Sequence, residues 1–406
     1  MISIDDQLAA LTRRTERIVP EADLRAKLER SAKSGKPLRI KFGMDPTAPD
    51  ITLGHAVPLK IIRQFQDWGH KAVLIIGDYT ARVGDPSGRN KTRPQLSGDE
   101  IDQNARTYVE QVGKILLTDP DHLETRYNGE WFSKMNLLDI LKLTSKKSVA
   151  QMLEREDFKN RYTTGVDIRI HEFLYPLMQG WDSVMIDADV EMGGSDQLFN
   201  NLVGRDLQAD AEKPGQAVIV TPLLVGTDGV KKMSKSQKNY IAVLDPPSGQ
   251  EGMFGKIMSL PDALMESYYT LLTDLPTGEF RQAIQANPRD AKIALAKHVI
   301  GWLHKPEAAD AAEAEFHRLF GKAKDKDAIP DDTPTISVGD LGPGPHRLPV
   351  LLVKAALAAS NSEATRKIKE GAVSVNGQKV TDVQKTFEIA APTVLKLGRK
   401  YARVTP

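Results

Sequence analysis

The chain has 406 residues, 40% hydrophobic and 27% charged, with a formal net charge of +1 at pH 7. This is the composition of a globular protein of about two to three domains. There is no cysteine, which excludes disulfides, thiolate catalysis, iron–sulfur clusters and cysteine-ligated zinc and fits a cytoplasmic location. No run reaches the ~18 consecutive apolar residues that a membrane-spanning helix needs.

The first eighteen residues read as an amphipathic helix with acids early and arginines late, and they lack the apolar stretch of a signal peptide. From about residue 35 to 226, short apolar runs alternate with helical patterns, the signature of an α/β fold. The clearest predicted strands are Leu38–Met44, Lys71–Asp78, Val184–Val190 and Ala217–Gly226. Between the first two, His55–Trp68 reads as a helix, with Leu59, Ile62 and Phe65 on one face. Pro58 is placed in its first turn and Gly69 at its C-cap. From about 246 to 321 the pattern becomes helical, and a Pro- and Gly-rich stretch then marks a linker over 329–347. From Leu348 onward ten basic residues face four acids, a net of +6, which leaves −5 for the rest. A basic module on a mildly acidic body points to a polyanion partner, nucleic acid first.

Four constellations carry chemistry. Asp45 to His55 lies between a predicted strand and a helix N-terminus, where unpaired backbone N–H groups and the helix dipole favour phosphate. Gly54 would admit a nucleotide close to the backbone, and His55 is a donor at the helix start. Lys231-Lys232-Met233-Ser234-Lys235-Ser236 follows the last predicted strand and offers two lysines three apart to a triphosphate. Tyr175, Gln179 and Asp182 recur at four and three residues and share one helix face, a lining for a polar aromatic ligand, with Gly193-Gly194-Ser195-Asp196-Gln197 close behind. Gly84-Asp85-Pro86-Ser87-Gly88-Arg89, with Lys91 and Arg93, joins a carboxylate for an ammonium group to cations for a leaving pyrophosphate.

Thr52-Leu53-Gly54-His55 resembles the HIGH sequence of class I aminoacyl-tRNA synthetases, and Lys232–Ser236 is their KMSKS. The Tyr175–Asp182 and Gly193–Gln197 pair is similar to that of the bacterial tyrosyl-tRNA synthetases and separates them from the tryptophanyl enzymes. The segment Ser360–Gly377 resembles an S4 RNA-binding domain, with Ser360 and Glu363 as a capping box and an Asn376-Gly377 hairpin turn. The resemblance implies a Rossmann-type parallel-sheet catalytic domain over 1–230, with an insertion at about 120–170. An α-helical anticodon-binding domain with the KMSKS loop (231–328), the linker and a small α+β S4-like domain (348–406) would follow.

The implied chemistry is activation of L-tyrosine by Mg-ATP, then transfer to tRNA. The tyrosine carboxylate is already ionised, so no general base is needed and the rate must come from positioning and charge stabilisation. His55, Lys232, Lys235 and Thr52 are the implied catalytic groups. Thr47, Gly54, Gly194, Asp196, Arg89 and Arg93 would bind ATP together with Lys235. Asp182 would take the phenol; Tyr175, Gln179 and Asp85 the ammonium end; Gln197 would border the site. Phenylalanine would leave a buried carboxylate without its donor, and tyrosyl-tRNA synthetases are themselves the standard example of that rule. Arg366, Lys367 and Lys369 form the implied RNA-binding patch, and no protein-bound metal is expected. A homodimer is implied, with an interface near Leu137–Arg169.

The chain departs from the family pattern twice. Thr52 stands where the motif has its first histidine, so a Thr52→His variant is expected to form adenylate faster. Lys41 stands where many members have a tyrosine; either it tunes Asp182 or another residue completes recognition. Two other readings stay open: a tryptophanyl-tRNA synthetase, and a synthetase-like RNA-binding protein of weakened catalysis.

Overall fold

Four largely buried runs, β2 (Arg39–Met44), β3 (Lys71–Ile76), β5 (Val190–Gly194) and β6 (Ala217–Thr221), pair with two more exposed strands, β1 (Arg17–Val19) and β4 (Leu123–Tyr127), into a six-stranded sheet. The computed structural model describes residues 2–47, 49–85, 97–320, 329–342, 344–398 and 400–406. They fall into two units, Met1–Leu244 with Leu260–Gln285, and Asp245–Ser259 with Ala286–Pro406.

The sheet belongs to the first unit. Its order is β1-β6-β5-β2-β3-β4, and every pairing is parallel except that of β1 with β6. Both faces of β3 and β6 are covered, so their side chains are apolar almost throughout, as parallel sheets require. The chain runs from β2 to β3 on one side and from β5 to β6 on the other. The strand order therefore reverses at the β2/β5 junction, and a ligand crevice is expected at the carboxyl ends there.

The helix after β2 spans Leu53–Asp67 and buries Val57, Leu59, Ile61, Ile62 and Phe65. It starts two residues earlier than the sequence pattern indicates, so Pro58 lies beyond the first turn. Its ring deletes the N–H that would have bonded the Gly54 carbonyl. Gly69 follows with φ +87°, the left-handed conformation that a chain reversal needs and that glycine adopts without strain.

Three other elements differ from the sequence reading. The predicted strand Val184–Val190 begins as the last turn of a helix, Leu174–Met185. Val184 packs there against Leu177, Val203 and Leu207, Asp187 turns the chain at φ 50°, and β5 starts only at Val190. A short apolar run does not distinguish helix from strand until its packing partners are known. The predicted strand Ala217–Gly226 stops at Thr221, because Pro222 has no N–H for the ladder. The N-terminal helix is only Ile4–Thr12. Beyond it Arg14 turns inward, almost fully buried, and donates to the carbonyls of Leu271 (3.1 Å) and Thr273 (2.5 Å) beside Asp274.

The second unit contains the helices Met253–Met258, Pro288–Leu303 and Pro306–Phe320 and a C-terminal five-stranded sheet. Part of the breaker-rich stretch is structured: Thr335–Ser337 adds a parallel edge strand beside Lys400–Thr405. Leu348, Leu351, Leu352, Ile368, Leu395 and Val404 form that module's core. Asn376 (φ 46°) and Gly377 (φ 77°) make the expected tight turn between Val373–Val375 and Gln378–Lys379. The Ser360 hydroxyl accepts from the Glu363 N–H at 3.2 Å, while the Glu363 carboxylate reaches one residue further back, to the Ala359 N–H at 2.8 Å. No described helix is long and apolar enough to cross a membrane.

At the end of β3, a Cβ on Gly77 would overlap the Asp45 carboxylate and the Thr80 hydroxyl. Gly77→Ala is expected to destabilise the first unit by about 1–3 kcal/mol through overpacking, measured by denaturant unfolding against the parent chain.

Candidate active site

A cleft of about 240 Å³ opens at the carboxyl ends of β2, β5 and β6, where the strand order reverses. It gathers residues from eight separate stretches of sequence, all within the first unit. Thr47, Thr52, Gly54, His55, Asp85, Tyr175, Gln179, Asp182, Gly194, Asp196, Gln197 and Lys232 line it. Lys41 and Lys235 lie beside it. Arg89 and Arg93 fall outside the described residues. Arg366, Lys367 and Lys369 sit in the second unit, on the helix Asn361–Lys369.

The helix Leu174–Met185 supplies one wall. Asp182 is 4% exposed, yet its carboxylate has donors. The Trp131 indole N–H donates to Oδ1 at 3.0 Å and the Asn128 amide to Oδ2 at 3.3 Å. Burial pushes the Asp182 carboxyl up to about 7, against the opposing effects of Lys41, Asn128 and Trp131, while Glu191 adds to the rise. Trp131 is itself wedged among Val73, Ile75, Phe132 and Met178, so its N–H is aimed by packing. Neither Trp131 nor Asn128 was legible in the sequence. They follow β4, a strand whose Glu and Arg content (Leu123–Tyr127) hides it from a search for apolar runs.

Asp45 is a third residue to which the sequence reading gave no role of its own, although it opens the loop after β2. Its carboxylate accepts from the Tyr175 hydroxyl at 2.9 Å and from Thr80 at 2.8 Å. Asp85 accepts from Gln197 Nε2 at 3.0 Å and lies 3.6 Å from the buried guanidinium of Arg155. Tyr175, Asp45, Asp85 and Gln197 thus stand together on the cleft wall, two carboxylates with their hydrogen-bonding partners. The Gln179 side-chain carbonyl accepts from Asn200 at 2.9 Å, which fixes its orientation.

At the helix start, the Thr52 backbone N–H donates to His55 Nδ1 at 3.2 Å, and the Thr52 hydroxyl lies 2.9 Å from the same nitrogen. A nitrogen that accepts from a backbone N–H carries no proton, so the ring proton is assigned to Nε2. The side chain keeps an exposed surface, and desolvation by the protein around it, aided by the charges of Lys235 and Lys232, lowers the imidazole below its ordinary value. His55 is therefore a neutral donor at physiological pH. The Thr52 hydroxyl, 1% exposed, is occupied with orienting it.

The KMSKS loop is pinned by a residue that the motif does not include. Asn239 accepts from the Ser234 N–H at 2.8 Å and donates to the Lys232 carbonyl at 3.2 Å and to Asp228 at 2.9 Å. Met233 is buried, and its N–H bonds the Leu224 carbonyl. This anchoring presents Lys232 to Asp196, with Nζ and Oδ2 2.5 Å apart. Lys235 lies over the Tyr108 ring at 5.5 Å and 3.4 Å from its hydroxyl. Burial pushes its ammonium down to about 8, with Asp50 opposing. Two cations, a neutral imidazole donor and open backbone beside Gly54 make a site for a polyanion next to a pocket with a buried carboxylate.

Comparisons with known proteins give the family. Residues 33–321 match the family model described as tRNA synthetases class I (W and Y), and residues 326–401 match the Tyrosine--tRNA ligase SYY-like C-terminal domain. A Tyrosine--tRNA ligase 2 of Vibrio parahaemolyticus is 49% identical over 100% of both chains. A Tyrosine--tRNA ligase of Moorella thermoacetica is 47% identical over 98% of this chain and 95% of its own. Among solved structures, a C-terminally truncated mitochondrial tyrosyl-tRNA synthetase of Aspergillus nidulans superposes with a TM-score of 0.62 at 26% identity, over 79% of this chain and 95% of that one. The first family model covers tryptophan and tyrosine enzymes alike, but the full-length relatives and the C-terminal match are with tyrosine enzymes. The chain belongs to the class I tyrosyl-tRNA synthetases.

Proposed function

We propose that the cleft activates L-tyrosine with Mg-ATP to tyrosyl-adenylate and pyrophosphate, and then passes the tyrosyl group to the 3′ end of its tRNA. The observation that carries this reading is a single cleft whose lining includes Asp182 together with His55 and Lys232. The phenol donates to Asp182, and Asp45, Asp85, Tyr175 and Gln179 hold the ammonium end. Asp196 accepts from the ribose, beside Gly194. His55 Nε2–H, Lys232 and Lys235 then stabilise charge on the phosphoryl oxygens as the carboxylate attacks the α-phosphorus and pyrophosphate leaves, with Thr47 contributing a hydroxyl. Lys232 and Asp196 exchange their mutual ion pair for the triphosphate and the ribose. Arg366 and Lys367 both pair with Glu370 on an exposed helix face. Such pairs are weak and yield to phosphate, so these residues and Lys369 contact RNA, with strong salt dependence.

Tyrosine-dependent pyrophosphate exchange tests the reading. Lys235→Ala is expected to lower kcat by about 10²–10³, the cost of removing one preorganised donor, and Asp182→Ala to abolish the preference for tyrosine over phenylalanine. An unchanged preference in Asp182→Ala would refute the assignment of the phenol.

Two pH limbs follow from the buried charges. The tyrosine phenol needs an ionised acceptor, so kcat/KM for tyrosine should fall about tenfold per pH unit below about 7. The triphosphate needs a charged Lys235, so kcat/KM for ATP should decline above about 8. The Thr52→His variant now carries a cost, because it removes the hydroxyl beside His55 Nδ1. Single-turnover rates for Thr52→His and Thr52→Val separate the two roles. A gain in the first means the second histidine outweighs the lost contact; equal losses mean that Thr52 acts only through His55.

The homodimer belongs to the same proposal. Leu137, Leu138 and Leu141 are exposed together on one short helix, at 74, 58 and 57%, beside a groove of about 570 Å³ lined by Trp131, Met135, Leu143, Trp181 and Met185 together with the charged Glu130, Lys134, Asp139, Lys142 and Lys146. A contiguous apolar patch of this kind marks a protein interface. Leu138→Asp with Leu141→Asp is expected to give monomers in sedimentation equilibrium; an unshifted dimer mass would place the interface elsewhere.

A further inference from the structure

Lys41 is a lysine in the middle of a central parallel strand, 0% exposed, at a position where an apolar residue would be expected. Its register partner on β5 is Glu191, 1% exposed. The two side chains meet beneath the helix that carries the tyrosine-site residues. Lys41 Nζ donates to Glu191 Oε1 at 2.9 Å, to the Ser183 hydroxyl at 2.7 Å and to the Gln179 backbone carbonyl at 2.7 Å. Glu191 further accepts from Ser183 at 3.1 Å, from the Gln179 amide at 3.3 Å and from Gln216. All three hydrogens of the ammonium are used, and the pair grips the helix at residues 179 and 183, on either side of Asp182. Neither residue lines the cleft.

We propose that the buried Lys41–Glu191 pair is a positioning device for tyrosine recognition: it clamps the Gln179–Ser183 turn, and the Lys41 charge keeps Asp182 an anionic acceptor for the phenol. The inference rests on the assignment of the phenol to Asp182.

The other charged groups around Asp182 are engaged elsewhere. Asp45 after β2 accepts from Tyr175 and Thr80. Asp78 after β3 accepts from the Gly129 N–H, and Glu130 beside Trp131 pairs with Arg126. On the neighbouring helix Leu198–Asp210, Arg205, Asp206 and Asp210 pair with Asp23, Lys147 and Lys146. On the short helices nearby, Arg82 lies against the Tyr79 ring, and Asp139 accepts from the Asn136 N–H near Lys142. Lys41 and Glu191 are the charges that bear on Asp182, Lys41 favouring its ionised form more than Glu191 opposes it. The net effect of the pair is therefore attraction.

That imbalance gives the two halves of the pair opposite signatures. With the full-length protein, kcat/KM for tyrosine in pyrophosphate exchange is measured from pH 5.5 to 8.5 for the parent, Lys41→Met, Glu191→Gln and the double variant, each normalised to the tyrosyl-adenylate formed per chain. Lys41, bonded on either side of Asp182, is the largest influence favouring its ionised form, and losing a nearby opposite charge raises a carboxyl by about one unit, so Lys41→Met should move the acid limb upward and lower kcat/KM at pH 6 about tenfold. Glu191→Gln should move the limb downward, and the double variant should fall between the single ones. If every variant lowers kcat/KM by one factor at all pH values, the pair is a packing element and the inference fails. Should Lys41→Met not fold, Glu191→Gln decides alone: an unmoved limb overturns the proposal. Asp182→Asn tells the two failures apart. If it keeps the parent's acid limb, the phenol assignment itself is wrong; if it loses the limb while the pair variants do not shift theirs, only the role of Lys41 and Glu191 is wrong.

Discussion

Parallel pairing of β2 with β5 is the constraint on which the rest of the site depends. These strands are far apart in sequence, and their junction is where the sheet order turns back. At their carboxyl ends the pairing brings the Asp45–His55 loop beside the Gly193–Gln197 loop. Within the strands it sets Lys41 opposite Glu191. The helix Leu174–Met185 packs over that junction and directs Tyr175, Gln179 and Asp182 toward the same opening. One register thus orders both the surface proposed for the nucleotide and a buried polar layer beneath the proposed amino-acid pocket.

Desolvation and neighbouring charge together set the protonation of the groups in the cleft. His55 is neutral because desolvation and two nearby lysines disfavour the imidazolium. Asp182 is held near neutrality in pH by the same desolvation, partly offset by Lys41 and two neutral donors. A site of this kind has no strong base, and the chemistry asks for none, since the nucleophile is a carboxylate that ionises in solution. The protein contributes oriented donors in a low-dielectric cleft, and these are effective because they need no reorganisation when charge develops. The supporting contacts are as specific as the groups they serve: Trp131 and Asn128 for Asp182, the Thr52 N–H for His55, Asn239 for the KMSKS lysines.

Much of this was legible from residues alone. The class of fold, the helix after β2, the left-handed glycine at its end and the hairpin turn in the C-terminal module follow from local periodicity and turn chemistry. The HIGH-type and KMSKS segments and the Tyr175–Gln179–Asp182 spacing each read as a binding surface on its own. The errors also have local causes. Val184–Val190 has strand composition but ends a helix, because its first residues pack against a neighbouring helix. Pro58 was placed in a first turn that begins two residues earlier. The Thr52 hydroxyl, given only a catalytic role by resemblance, has a local partner that the motif does not show, His55 Nδ1.

The sequence by itself determined the family and singled out candidate side chains for a nucleotide and a phenol, because motif spacing and helix periodicity are properties of neighbouring residues. Only the tertiary structure decided what each of them is bonded to. Trp131 reaches Asp182, Asp45 reaches Tyr175, and Lys41 finds Glu191 across strands distant in the chain. Those contacts are long-range, and their energetics turn on desolvation. A buried charge is costly or useful according to the partner that folding brings to it, and no local pattern encodes that partner.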